Sequence, residues 1–311
     1  MKHSLFSNEA VPYSRFNDFI NPKNRRFDVL CSVLSELRLA YNIVKINGSR
    51  HLFVRPCGSL SHNGEASSVL IAHYDCVENS PGANDNGAAV FMLIDAALKL
   101  SEKFKAQDAA DSILNVSSSV LFIFTDNEEL KSGASIKEQG AYSLAKALGE
   151  TGMADALFFI FDCCGIGSTL IISTTADQLL KNETSAASAR TKQKLRLLRR
   201  TALDTAEKTM NGSYLLMPTP FSDDIGFLYA GLTAQTITVL PQAEAMAFSS
   251  VVRNNPLYVN ALINSNVKHS QEKLELPTTW KNLNGPKDTC AKLTTQNFPA
   301  IVKFATALCG L

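Results

Sequence analysis

Histidine is scarce in this chain, five residues in 311, and tryptophan occurs once. Neither sign of charge dominates: 30 basic side chains against 29 acidic ones leave a formal charge of +1. No global field therefore recruits nucleic acid or an anionic membrane, and neither is expected as a partner. Nowhere do about 18 apolar residues run together, the length a membrane span requires. The opening MKHSLFSNEAVPYSRFNDF also lacks the uninterrupted apolar stretch of a secretory leader. These absences predict a cytoplasmic protein. Seven cysteines are an odd number without the rhythm of a disulfide scaffold, and Cys163 and Cys164 are adjacent, which suits reduced thiols. Cys76, Cys163 and Cys164 read as small buried hydrophobes rather than nucleophiles or ligands. Internal repeats and low-complexity linkers are missing too, so function must lie in particular side chains.

What is present is apolar patterning. An apolar content of 45% is ample for a packed core. Residues 27–40 carry apolar side chains at helical spacing, and the short strand candidates NIVKING and HLFVRP follow, with Asn47-Gly48 between them as a hairpin signal. The pattern then predicts a strand at 68–73, a helix at 87–101, a strand at 119–125, a helix at 134–149 and a strand at 156–161. Residues 102–118 are polar and are expected as a surface connection. A long helix with one cationic, solvated face is expected within 176–212, a strand at 233–239 and a closing helix near 295–309. Continuous apolar strands alternating with amphipathic helices indicate a sheet covered on both faces. The expected fold is a three-layer α/β/α sandwich with a mixed, mainly parallel sheet. It spans 1–311 as one domain, with a helical insertion around 176–220.

The predicted strands end in acids. His73 and Asp75 follow the first, Asp126, Glu128 and Glu129 the second, and Asp162 the third, while Asp85 lies in the loop opening the next helix. In open α/β folds ligands bind outside the carboxyl ends of the strands. Carboxylates converging there without nearby Lys or Arg repel one another, so a divalent cation is expected to neutralise them. One imidazole among carboxylates suits zinc, with cobalt or manganese as alternatives. Asp75, two residues from His73, points the same way on a strand and can hold the ring's second nitrogen. Pro81, Gly82 and Gly87 let the loop turn and bring Asp85 inward, and Asn86 can tie it by side-chain hydrogen bonds.

HYD, PGANDNGAA, TDNEE and FD followed by a glycine, in that order, resemble the zinc aminopeptidase and exopeptidase family that also contains the glutaminyl cyclases. SDDIGFLYAGLTAQTITVLP and NGPKDT are similar to its later segments. The resemblance implies that Asp85 bridges two metals, that His73 and Asp162 complete one, and that Glu129 binds the other. It implies Glu128 as general base and Asp75 as the group orienting His73. The activity it implies is metal-assisted hydrolysis of an amide in a small peptide or amino-acyl substrate.

Two positions depart from the family pattern. Its last ligand is a histidine four residues before an Asp-Thr, and here that position is Asn284. An amide oxygen is a poorer zinc ligand than imidazole, so one tight ion and a weaker second are expected. Asp224 stands where many relatives carry histidine, beside Asp223. Of the other histidines only His269 is near enough in sequence to replace Asn284 as a ligand. Glutaminyl cyclases use the corner that Asn284 weakens, which favours a hydrolase. A catalytically silent, peptide-binding relative is the competing expectation.

Overall fold

Eight strands, β1 (Tyr41–Ile46), β2 (Ser49–Val54), β3 (Ser68–His73), β4 (Val120–Thr125), β5 (Leu157–Phe161), β6 (Thr169–Ser173), β7 (Tyr214–Met217) and β8 (Ala234–Leu240), form one sheet in the order β1-β2-β4-β3-β5-β8-β6-β7. The computed structural model describes residues 12–56, 67–109, 120–254 and 276–310. The helices among them are α1 (Phe16–Ile20), α2 (Arg26–Glu36), α3 (Ala88–Ala109), α4 (Gly140–Glu150), α5 (Thr175–Leu179), α6 (Ala186–Thr209), α7 (Asp223–Tyr229), α8 (Gln242–Asn254), α9 (Thr278–Lys281) and α10 (Phe298–Ala307). Parallel pairing joins β4, β3, β5 and β8, and also β6 with β7, whereas β1 with β2, β2 with β4 and β6 with β8 are antiparallel. The sheet is mixed and mainly parallel.

The continuous apolar character of β3, β4 and β5 has a direct cause: both faces are covered. Leu70, Ala72, Phe122, Phe124, Phe159 and Phe161 pack towards α3 and α10, while Val69, Ile71, Leu121, Ile123, Phe158 and Ile160 pack towards α4 and Phe227 of α7. Each large apolar side chain so buried contributes roughly 1.5–3 kcal/mol. The three layers match the expected class. Asn47 and Gly48 turn the first hairpin with φ of 47° and 89°, the left-handed pair that a two-residue turn between twisted strands needs.

Several boundaries differ from expectation. Helix α3 runs on to Ala109, through part of the expected surface connection, while residues 110–119 lie outside the described ones. Helix α4 starts at Gly140 rather than 134, because Gln139 is extended (φ −63°, ψ 137°) and breaks it from a short 3₁₀ turn, Ile136–Glu138. Residues 176–220, expected as a helical insertion, hold α5, α6 and β7. They form a crossover that returns to the same sheet, with Leu195, Leu198, Ala202 and Ala206 of α6 buried. Strands β6 and β7 were not foreseen. Among the described residues no helix is long and apolar enough to cross a membrane.

Candidate metal centre

Strands β3, β4 and β5 run parallel and in register, so their carboxyl ends lie side by side, with His73 opposite Thr125. His73 ends β3 and is fully buried. Its Nε2 lies 3.1 Å from Asp85 Oδ1 and 3.5 Å from Asp162 Oδ1, and its Nδ1 is 3.4 Å from Asp75 Oδ1. Neither ring nitrogen makes a hydrogen bond. Burial works against a charged imidazole here, but Asp162, Asp75 and Asp85 overrule it and raise the His73 pKa well above its ordinary value.

The loop from 74 to 87 delivers Asp85. Asp288 accepts the backbone N–H of Asn84 at 2.7 Å and of Asp85 at 2.9 Å, which fixes the turn. Asn86 then bridges to the end of β5, donating to Phe161 O at 2.8 Å and accepting from Cys163 N at 3.2 Å. Asn84 Oδ1 accepts from Gly165 N at 2.7 Å. Two asparagine side chains thus set the distance between Asp85 and Asp162.

After β4 the chain reverses at Asn127, left-handed with φ of 62°, its side chain donating to Glu138 O at 2.7 Å. Glu128 and Glu129 are thereby turned back over β3. Asp75 accepts both their backbone N–H groups, at 3.2 and 3.0 Å, so the carboxylate that faces His73 Nδ1 also fixes the acidic turn. Gln139 Nε2 donates to Glu128 Oε1 at 3.2 Å. Asp126 does not join the centre; its carboxylate accepts Arg50 N–H at 2.9 Å. Asp223 accepts from Thr125 Oγ1, and Asp224 from Ser222 N–H at 3.2 Å, both buried.

Burial first, and then crowding, makes these acids hard to ionise. Burial, with Asp85 as the foremost charge against it, raises Glu129 to about 8; burial raises Asp223 and Asp224 to about 7 each; Glu128 is pushed well above the carboxylate range, again chiefly by burial. Such a set holds its protons unless a cation replaces them. One oxygen or nitrogen each from His73, Asp85 and Asp162 lies within 4.8 Å of the others, as do those of His73, Glu128 and Glu129. With the unpartnered His73 nitrogens and a buried, unpartnered Glu129 Oε1, these donors fit a zinc ion. An open cleft meets the acids: Asp85, Glu128, Glu129, Asp162 and Cys163 line it together with Phe221, Trp280, Leu283 and Asn284.

Residues 57–273 match the model of peptidase family M28. The chain belongs to this family. Solved structures with the same fold include a zinc aminopeptidase from Bacillus subtilis, 18% identical, covering 83% of this chain and 49% of its own, with a TM-score of 0.51. A glutaminyl cyclase from Porphyromonas gingivalis is 13% identical over 96% of this chain and 94% of its own, with a TM-score of 0.59. A Zn-dependent exopeptidase from Parabacteroides distasonis is 14% identical over 95% and 94%, with a TM-score of 0.57. This M28 chain thus spans about half the length of the Bacillus subtilis protein. Among curated proteins no sequence matches it.

Of the residues singled out in this M28 chain from sequence, His73, Asp75, Asp85, Glu128, Glu129 and Asp162 gather at one place, and Asn284 lines the same cleft with φ of 58°. His269 lies outside the described residues. Sequence reasoning missed Gln139, Arg26 and the Asp288 clamp. Asp288 carried a signal, the Asp-Thr after Asn284, but its role in holding another loop is a tertiary fact. The six described cysteines are unpaired, with Cys163 and Cys164 buried.

Proposed function

We propose that this M28 chain is a zinc-dependent, aminopeptidase-like exopeptidase acting on small peptides or amino-acyl amides. The observation that carries the reading is the buried His73 ring, surrounded by Asp75, Asp85 and Asp162 yet hydrogen-bonded to none, beside a turn that presents Glu128. His73, Asp85 and Asp162 would hold one ion tightly. Glu129, a share of Asp85 and the amide oxygen of Asn284 would hold a second more weakly, with cobalt or manganese able to replace zinc. When bound, the metal supplies Lewis acidity that polarises the scissile carbonyl and acidifies water.

The chain's own residues do the rest. Asp75 faces His73 Nδ1 and, through two backbone N–H groups, holds the turn that carries Glu128. Glu128 takes a proton from the attacking water and passes it to the leaving amine, so hydroxyl joins the acyl carbon as the C–N bond breaks. Phe221, Trp280 and Leu283 give the cleft an apolar wall against its acidic floor. The unpaired cysteines support a reducing, cytoplasmic setting.

Metal analysis of the purified protein, with assays on amino-acyl and N-terminal glutamine substrates side by side, tests this. About one tight ion and release of amino-acyl groups are expected. Cyclisation of glutamine substrates without amino-acyl hydrolysis would replace the reading with a glutaminyl cyclase, and absence of both activities and of metal would replace it with a silent binding protein.

A further inference from the structure

Arg26 opens α2, in the segment that precedes the part matched by the M28 model. Its side chain is 9% exposed, and the guanidinium lies 4.8 Å over the ring of Phe19. A buried permanent charge costs several kcal/mol unless its donors are satisfied. Here they are satisfied in an unusual way, because all four partners are neutral main-chain carbonyls. Nη1 donates to Tyr74 O and Asp75 O, both at 3.2 Å, and Nη2 to Pro81 O at 2.6 Å and Gly82 O at 2.9 Å.

Those carbonyls belong to the two ends of one loop. Tyr74 directly follows His73, and Gly82 is three residues before Asp85, so the planar fork joins the start of the loop to its finish. The loop is shaped around the guanidinium: Gly82 is left-handed at φ of 55°, and a Cβ there would collide with Arg26 Nη2 and with the carbonyl oxygen of Asp85. Asp288 holds the far side of the same turn through Asn84 and Asp85 N–H. Burial lowers the Arg26 pKa and Cys76, Asp75, Asp85 and Asp288 oppose that lowering, so the charge buried here also offsets the acidic centre.

We infer that Arg26 is a positioning residue for the metal centre, stapling the two ends of residues 74–82 so that His73 and Asp85 stand at ligand spacing. This rests on the metal reading above. The N-terminal segment is then part of the site rather than an accessory to the family fold. Lysine cannot replace the fork, since one tetrahedral nitrogen does not span both pairs of carbonyls.

The test is zinc titration against a competing chelator into the metal-free full chain, with wild type, Arg26→Lys and Arg26→Gln compared. The absorption spectrum of each protein loaded with cobalt(II) reports ligand geometry, which a remote packing role would leave alone. Both variants are expected to melt cooperatively without metal. Zinc affinity should fall about tenfold for Arg26→Lys and about a hundredfold for Arg26→Gln, the range for groups that hold ligands in place, with an altered cobalt spectrum. Variants that bind zinc as tightly as wild type with the same spectrum would overturn the positioning role and leave the metal reading standing. A wild-type protein that takes up no zinc would overturn the metal reading and this inference with it. If neither variant folds, Arg26 is a core residue and the inference is overturned.

Discussion

Two histidines of this chain are equally buried and have opposite surroundings. His73, at the end of β3, has three carboxylates within 3.5 Å and is pulled upward in pKa by them against the burial that opposes its charge. His51, on β2, is also fully buried, but its Nδ1 accepts the Asp126 backbone N–H at 3.4 Å, its Nε2 has no partner, and burial lowers its pKa to about 4. Burial alone makes imidazole a neutral packing group. Burial among acids makes it a candidate ligand, since ring and carboxylates are then satisfied together by a shared proton or by a metal ion.

The largest expected effect separates the two rings directly. His73→Gln should weaken zinc binding about 1000-fold and remove activity with it, while His51→Gln should leave zinc content unchanged. Equilibrium dialysis of both variants checks the pair, and equal metal loss in both would erase the distinction drawn here. Next, Glu128→Gln keeps the size of the side chain and its contact with Gln139 but removes basicity, so kcat should fall at least about 100-fold with metal content retained. Steady-state kinetics with parallel metal analysis decides it.

A smaller effect concerns the weak corner of the same centre. Asn284→His supplies an imidazole where the cleft now offers an amide, and affinity for a second ion should rise about tenfold or more. Calorimetric titration should then show two tight ions where one is expected for the native chain; two tight ions in the native chain would contradict the role given to Asn284.

A last effect, read in stability rather than in binding or turnover, is a pH dependence from His51. Its folded pKa of about 4 lies below the ordinary value of 6.5, so between these values the unfolded chain binds more protons than the folded one. Stability from this group is therefore complete above about pH 6.5 and is lost as pH falls towards 4, with a slope of at most about 1.4 kcal/mol per pH unit. Denaturant unfolding of wild type and His51→Gln across that window measures it, and parallel curves would show that His51 carries no such linkage.

How far the sequence could be read depended on where each signal lies. Strand β3 was legible to the residue, and β4, β5 and the first hairpin to within one or two, because apolar runs and Asn-Gly are local signals. Strand β7 has four residues, and β6 carries only three consecutive apolar ones against five in the equally short β5, so their local signal is weaker. Acids at three strand ends were visible because a parallel sheet puts successive carboxyl ends on one edge. Asp126 belonged to that list on spacing alone, yet its carboxylate turns to Arg50 N–H, since left-handed Asn127 reverses the chain just after it.

By itself the sequence determined the layered fold, the family and the chemical types of the candidate ligands, His73, Asp85, Asp162 and Glu129, since those follow from local pattern and side-chain identity. Only the tertiary structure decided what holds them at ligand spacing. Arg26, Asp288, Gln139 and Asn86 act on partners 56, 204, 11 and 77 residues away, and no local period records such pairs. It also decided that His51 packs away from the acids and that His73 stands among three carboxylates: both are one imidazole in a strand, and the difference is the charge that folding brings beside each ring.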